Sequence, residues 1–124
     1  MPHIKAADAV LFQIPHVTFA GLAAPSRGAR ETAVWRVTLA PHAPGTLHSL
    51  SREEVLVALN GVAEVQIGPD THVFAAGDAI VVPAETPFSL ANPGDAPFAA
   101  IAVLPVGAQV RIGDDAAFVP PWAI

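Results

Sequence analysis

The chain has 124 residues, enough for one hydrophobic core but not for a core plus a second catalytic domain. Hydrophobic residues make up 52% of it and charged residues 14%, a composition that argues against disorder. The chain has more apolar surface than a small monomer can easily bury, so we expect an apolar pocket or a subunit interface. The formal net charge of −5 argues against nucleic acid as a partner, and the absence of cysteine excludes disulfides, thiolate nucleophiles and Cys-ligated metals.

No membrane-spanning or export segment is expected. The longest stretch free of Asp, Glu, Lys, Arg and His, residues 96–110, is interrupted by Pro97, Pro105 and Gly107 and is shorter than the ~20 residues of a transmembrane helix. The first residues show no uninterrupted apolar stretch that ends in a cleavage site. We therefore expect a cytoplasmic protein with no membrane partner.

The whole chain is predicted to form short strands separated by turns, because 13 prolines and 9 glycines are spread along its length. Residues 1–30 are the least regular: Ile14–Phe19 is predicted as an edge strand and residues 23–28 as a loop. Val34–Leu39 alternates apolar and polar side chains, which is typical of a half-buried strand.

The middle and end of the chain continue this pattern. Val55–Leu59 and Val62–Ile67 flank Asn60-Gly61, which predicts a hairpin with a type I′ turn. Further strands are predicted at Thr71–Phe74, Ala79–Val82, Phe88–Ala91, Phe98–Leu104 and Ala108–Ile112. Phe118–Ile124 carries two adjacent prolines, which excludes a central strand and predicts an apolar arm packed on its own barrel or on a neighbour.

Together these elements predict an all-β sandwich or barrel. We expect one domain over residues 1–124, with an N-terminal edge strand and loop at 1–30, a barrel at 34–104 and a C-terminal arm at 113–124.

Two segments carry polar residues at suggestive spacings. Pro44–Gly61 (PGTLHSLSREEVLVALNG) contains His48 and Glu54, and Gly77–Asn92 (GDAIVVPAETPFSLAN) contains Pro83. The two segments resemble the paired signature motifs of the cupin superfamily, and the resemblance covers residues 34–104. It implies a double-stranded β-helix, or jelly-roll, barrel.

The resemblance also shows where this sequence departs from the motifs. Metal-dependent cupins bind their ion through three histidines and a glutamate, and the matching positions here are His48, Leu50, Glu54 and Phe88. Glycines of the two motifs fall on His42 and Glu85, and the nearby Gly45 is expected to make the bend that the first of these glycines would provide. Because two of the four ligands are missing, we expect weak metal binding or none.

The residues at the four motif positions are therefore expected to line a pocket. Leu50 and Phe88 would make its inner end apolar, and His48 and Glu54 would remain as an acid–base pair and as the candidate catalytic residues. A buried Glu54 needs a partner, for which His48 or Arg52 is available. Other interpretations stay open, because His48 could simply bond within the barrel while Leu50 and Phe88 pack the core.

Three functions are compatible with this pattern. The favoured one is a small-molecule-binding cupin without a cofactor, with a metal-poor pocket that could support weak acid–base isomerisation. The second is a metal-dependent dioxygenase or isomerase that holds iron, manganese, zinc or nickel through His48, Glu54 and a recruited His42 or His72. The third is a structural or regulatory dimer with a filled barrel. In the favoured reading the protein is also a homodimer.

Overall fold

Eleven β-strands form two antiparallel sheets in the computed structural model, which describes residues 1–124. The first sheet contains, in spatial order, β1 (Val10–Ile14), β2 (Val17–Ala23), β3 (Thr32–Leu39), β10 (Phe98–Pro105), β5 (Glu54–Asn60) and β8 (Ala79–Val82). The second contains β11 (Val110–Ile112), β4 (His48–Leu50), β9 (Phe88–Ala91), β6 (Val62–Ile67) and β7 (Asp70–Ala75). The fold is all-β, as the sequence pattern predicts, and its two sheets enclose the core as the jelly roll that the resemblance implies.

Only short 3-10 helices interrupt the strands. They lie at Ala6–Asp8, Pro25–Arg27 and Pro121–Ala123. None of the helices has the length and apolar character required to cross a bilayer.

The alternation of strand β3 explains how the first sheet covers the core. Trp35, Val37 and Leu39 are buried while Arg36 is exposed, so one side of the strand faces inward. β10 lies between β3 and β5, and its apolar sequence fits this central position. Phe74 and Phe98, with 5.6 Å between ring centroids, are fully buried in this core.

The predicted hairpin at Asn60-Gly61 is wrong. β5 pairs with β10 and β8, whereas β6 pairs with β7 and β9, so this dipeptide carries the chain from one sheet to the other. A type I′ turn needs positive φ at both residues, and only Gly61 has it, at 82°. Any Cβ at Gly61 would collide with the carbonyl oxygen of Pro97, which explains the glycine without a hairpin.

The predicted edge strand Ile14–Phe19 is also wrong, because a turn lies in its middle. β1 ends at Ile14 and β2 begins at Val17, and the two strands pair directly across Pro15 and His16. Pro15 has no N–H to donate to a ladder, and His16 adopts a left-handed φ of 67°. Pro15 is the sequence feature from which this hairpin could have been predicted.

The remaining predicted strands are confirmed with small shifts of their ends. β11 is shorter than predicted and begins at Val110, and β4, which carries two motif positions, had not been predicted as a strand. Residues 25–27 of the predicted loop form a short 3-10 helix. The C-terminal arm packs on its own barrel, where Phe118 pairs with Val110 through two backbone hydrogen bonds.

Two residues at glycine positions of the motifs keep a glycine-like backbone. His42 has a φ of 61° and Glu85 a φ of 59°, both in the left-handed region. The Glu85 N–H donates to the Leu50 carbonyl oxygen at 2.7 Å, which ties this turn to strand β4. The bend that Gly45 was expected to provide is therefore made at His42. The motif register is preserved in the backbone where the side chains have changed.

The asparagine that ends the second motif holds the loops together. Asn92 is fully buried, and its Nδ2 donates to the carbonyl oxygens of Ala96 at 2.8 Å and Ala40 at 3.2 Å. Its Oδ1 accepts from the Gly94 N–H at 3.1 Å. Asn92 thus joins the end of β3 to the loop before β10.

Candidate functional site

A cavity of about 180 Å³ lies between the two sheets. Of the 20 residues that line it, 15 are hydrophobic, and the polar side chains are those of Thr46, His48 and Glu54. Five of the lining residues are exposed and therefore mark its mouth: Ile14, Pro44, Thr46, Ile112 and Phe118. The site is an apolar chamber with very few polar groups.

All four motif positions line this one cavity. His48 and Leu50 are two residues apart on β4 and point to the same side. Phe88 on β9 is the direct register partner of His48. Glu54 begins β5 in the opposite sheet. The two sheets therefore each supply one titratable side chain to the cavity.

His48 is held in one tautomer. Its Nδ1 lies 2.8 Å from the carbonyl oxygen of Thr46, and because a carbonyl only accepts, Nδ1 carries the hydrogen. Burial lowers the pKa of His48, and the bond to Thr46 opposes this shift only in part. At neutral pH the ring is uncharged, and its Nε2 has a free lone pair.

Glu54 is buried without a partner. The residue is only 5% exposed. It forms no hydrogen bond or ion pair with His48 or Arg52, the two partners expected from the sequence. Burial raises the pKa of the Glu54 carboxyl group to about 8. It is therefore mainly a neutral acid at pH 7, and it does not raise the pKa of His48 as a nearby carboxylate would.

Aromatic rings form much of the wall. Trp122 stacks on Phe19 with 3.6 Å between centroids and an interplanar angle of 3°, and it meets Trp35 edge-on at 6.2 Å. The indole N–H of Trp122 is buried and has no acceptor within the protein. The sequence predicted an apolar arm but not that the arm closes the cavity, because Phe118–Ile124 has no periodic pattern that shows which surface it covers.

His42 and His72, the candidate recruited ligands, do not reach the cavity. His42 is exposed and lies 2.8 Å from Asp95. His72 is exposed on β7, beside a separate groove that also contains Asp78. The structure places each of them outside the lining of the main cavity.

The residues present do not fit the divalent metal that the resemblance implies. An octahedral or facial-triad site requires at least three protein ligands, and the cavity offers only His48 and Glu54, with Leu50 and Phe88 at the other two positions. No group of three or more His, Asp or Glu side chains is close enough to hold an ion.

The geometry instead provides two groups with complementary roles. His48 Nε2 can accept a proton, and the Glu54 carboxyl group can donate one. Both lie in a chamber with few competing polar groups, where a hydrogen bond to a substrate is stronger than in water.

Comparison with known proteins identifies a matching family and several similar structures. A family model described as "Cupin domain" matches residues 35–104. Among solved structures, the polyketide cyclase RemF from Streptomyces resistomycificus is similar, with a TM-score of 0.81 and 17% identity over 98% of this chain and 88% of that chain.

Two further structures are similar. An RmlC-like cupin from Shewanella frigidimarina has a TM-score of 0.73 and 17% identity over 85% of this chain and 91% of that chain. A sugar phosphate isomerase from Silicibacter pomeroyi has a TM-score of 0.63 and 19% identity over 78% and 66% of the two chains. At these identities the likeness shows the fold. No curated protein matches the sequence significantly.

Proposed function

Because the chain belongs to the cupin domain family, we propose that it binds a small carbonyl compound in its barrel cavity and isomerises it by proton transfer. One observation carries the proposal: the only two titratable side chains that line the cavity are a neutral base, His48, and a neutral acid, Glu54. Groups whose pKa values are shifted in opposite directions by one apolar chamber are suited to acid–base catalysis near neutral pH.

The proposed reaction begins with two coupled proton transfers. Nε2 of His48 removes a proton from the carbon next to the carbonyl group while the Glu54 carboxyl group gives its proton to the carbonyl oxygen, so a C–H bond breaks and an O–H bond forms. The product is an enol. In the second half of the reaction His48 returns its proton to the far end of the dienol that a β,γ-unsaturated carbonyl compound forms, while Glu54 regains the hydroxyl proton. The C=C bond has then moved into conjugation with the carbonyl group, and both side chains are left as they began.

The bond between His48 and Thr46 supports this assignment. It fixes the tautomer in which Nε2 is the free nitrogen, so the base needs no rearrangement before it acts. Structural neighbours that carry the names polyketide cyclase and sugar phosphate isomerase are compatible with a small organic substrate in this barrel.

The experiment follows α-proton exchange of cyclohexanone in D2O by NMR. We expect the wild-type protein to accelerate exchange over buffer, and His48→Gln and Glu54→Gln to lose roughly 10²-fold or more of that acceleration. Glu53→Gln changes an exposed neighbour of Glu54 and is the matched control. Equal rates for His48→Gln and the wild type would refute the role of His48, and no acceleration by the wild type would refute the function.

We also propose that two copies pair through the outer face of the six-stranded sheet. An antiparallel sheet with one solvated face normally places polar side chains outward, but the outward residues here include Val57, Leu59 and Val81, which are 36%, 43% and 55% exposed. Ile101 stands beside Val57 in the register. An apolar outer face of this kind is typical of a covered surface.

The area of this face suits a second copy of the chain. Standard strand spacing and rise give the sheet a projected area of roughly 600 Å², close to the ~800 Å² per partner of a standard interface. Light scattering should therefore give a dimer mass for the wild type and a monomer mass for Val57→Lys. Gln66→Lys, on the outer face of the other sheet, should remain dimeric. A monomeric wild type would overturn the pairing.

A further inference from the structure

The cavity concentrates the aromatic side chains of this chain. Both tryptophans and three of the six phenylalanines line it, and the chain has no tyrosine. The aromatic lining residues are Phe19, Trp35, Phe88, Phe118 and Trp122. Aromatic pairs gain from offset-stacked and edge-to-face contacts beyond the area they bury. Such a wall favours a flat aromatic ligand over an aliphatic one of the same size.

Charge is the second constraint. No lysine or arginine lines the cavity, so a carboxylate or phosphate inside it would have no cationic partner. An unpaired buried charge is far more costly than a buried neutral oxygen with a hydrogen-bond donor. Glu54, the only carboxyl group in the lining, is mainly protonated below pH 8, so a cation would have no anionic partner either. The lining therefore selects against charged ligands of both signs.

Size is the third constraint. A cavity of about 150 Å³ lined by apolar residues holds benzene, and this one measures about 180 Å³. One ring with a short substituent fits inside it. Any larger part of the ligand must leave through the mouth, where it would meet Ile14, Ile112 and Phe118, which are all apolar and exposed.

We propose that the ligand is an uncharged aryl ketone, with its ring against the aromatic wall and its carbonyl oxygen accepting a hydrogen bond from Glu54. This rests on the proposed function, because it names the substrate class of the same cavity. The ketone supplies the carbonyl group that the acid–base pair needs, and the ring supplies the contacts that the wall offers.

The test compares four probes of similar size at pH 6.5: acetophenone, cyclohexyl methyl ketone, benzoate and phenyltrimethylammonium. The indole N–H signals of Trp35 and Trp122 in a ¹⁵N NMR titration report binding, since both rings line the cavity. We expect acetophenone to bind roughly threefold to tenfold more tightly than the cyclohexyl ketone. Benzoate and the cation should bind at least ~10-fold more weakly than acetophenone.

Three other results of this comparison would each contradict one part of the proposal. Equal affinity for the two ketones would refute the aromatic class while leaving carbonyl binding intact. Tighter binding of benzoate or of the ammonium ion would refute an uncharged ligand. If neither ketone bound, both this inference and the proposed function would fail.

Two variants distinguish the effect of ring contacts on ligand affinity from a general loss of protein stability. Trp122→Leu removes a ring of the wall and should bring the affinity ratio of the two ketones close to one. Phe74→Leu removes a buried ring that does not line the cavity and should leave the ratio unchanged. If Trp122→Leu kept the full ratio, the stacking contribution assigned to this wall would be wrong.

Discussion

His48 and Phe88 face each other across the β4–β9 pair, with 4.2 Å between ring centroids and an interplanar angle of 46°. Both occupy positions that the motif resemblance assigns to metal-binding histidines. An aromatic contact has thus taken the place of a pair of ligands, and the imidazole that remains lies against an apolar ring.

This contact leads to a prediction about metal binding. Since Leu50 and Phe88 line the same cavity as His48 and Glu54, the double variant Leu50→His/Phe88→His should present four ligands and bind Ni²⁺ or Mn²⁺ stoichiometrically by calorimetry. Val62→His, which adds one imidazole at an exposed position outside the cavity, is the control and should bind weakly. Unchanged affinity in the double variant would show that the motif register is wrong.

A second prediction concerns stability and pH. Burial raises the pKa of Glu54 from its usual value of 4.5 to about 8 in the folded protein, so between these values the folded state holds more protons than the unfolded state. Its contribution to the free energy of unfolding therefore falls as pH rises through this window, by up to ~1.4 kcal/mol per pH unit.

His48 acts in the opposite sense at lower pH. Its pKa is lowered from 6.5, so its contribution to stability rises with pH up to about this value, and Glu54 acts alone above it. Urea denaturation at pH 6.5 and pH 8 should show a loss in the wild type and in Glu53→Gln, and a much smaller loss in Glu54→Gln. An equal loss in all three proteins would contradict the raised pKa.

A third prediction follows from the left-handed backbone of Glu85. A side chain at φ 59° is strained, and glycine relieves that strain, although it also adds entropy to the unfolded chain. Glu85→Gly should raise the free energy of unfolding by roughly 1 kcal/mol, whereas Glu85→Ala, which keeps the Cβ, should not. Thermal and urea unfolding measure both, and equal effects would exclude backbone strain as the cause.

The fourth prediction addresses Asn92. Replacing it with leucine leaves the Gly94 N–H and the carbonyl oxygens of Ala40 and Ala96 without their partner. Unsatisfied buried groups cost ~1–3 kcal/mol each, so Asn92→Leu should lower the free energy of unfolding by at least ~2 kcal/mol. Asn60→Leu, at an exposed asparagine, is the comparison, and similar losses in both would argue against the network.

The sequence predicted those features that have a local or repeating signal. Alternation located β3 and its inward side chains, and motif spacing brought His48, Leu50, Glu54 and Phe88 into one cavity. The pairing of β5 and β6 could not be predicted, because Asn60-Gly61 suits a hairpin locally and only the distant strands β8 and β10 decide otherwise. The isolation of Glu54 was equally hidden, since a hydrogen-bond partner depends on side-chain positions in three dimensions.

The order of strands in the two sheets has a consequence for folding kinetics. β5 and β8 of one sheet are separated in the chain by β6 and β7 of the other, and β10 must arrive between β3 and β5. Neither sheet can be completed from a continuous piece of the chain, so the transition state must close long loops and folding should be slow for the size of the protein. Because His48 and Glu54 belong to different sheets, their arrival in one cavity should be a late event, and recovery of the proposed proton-transfer activity during refolding would time it.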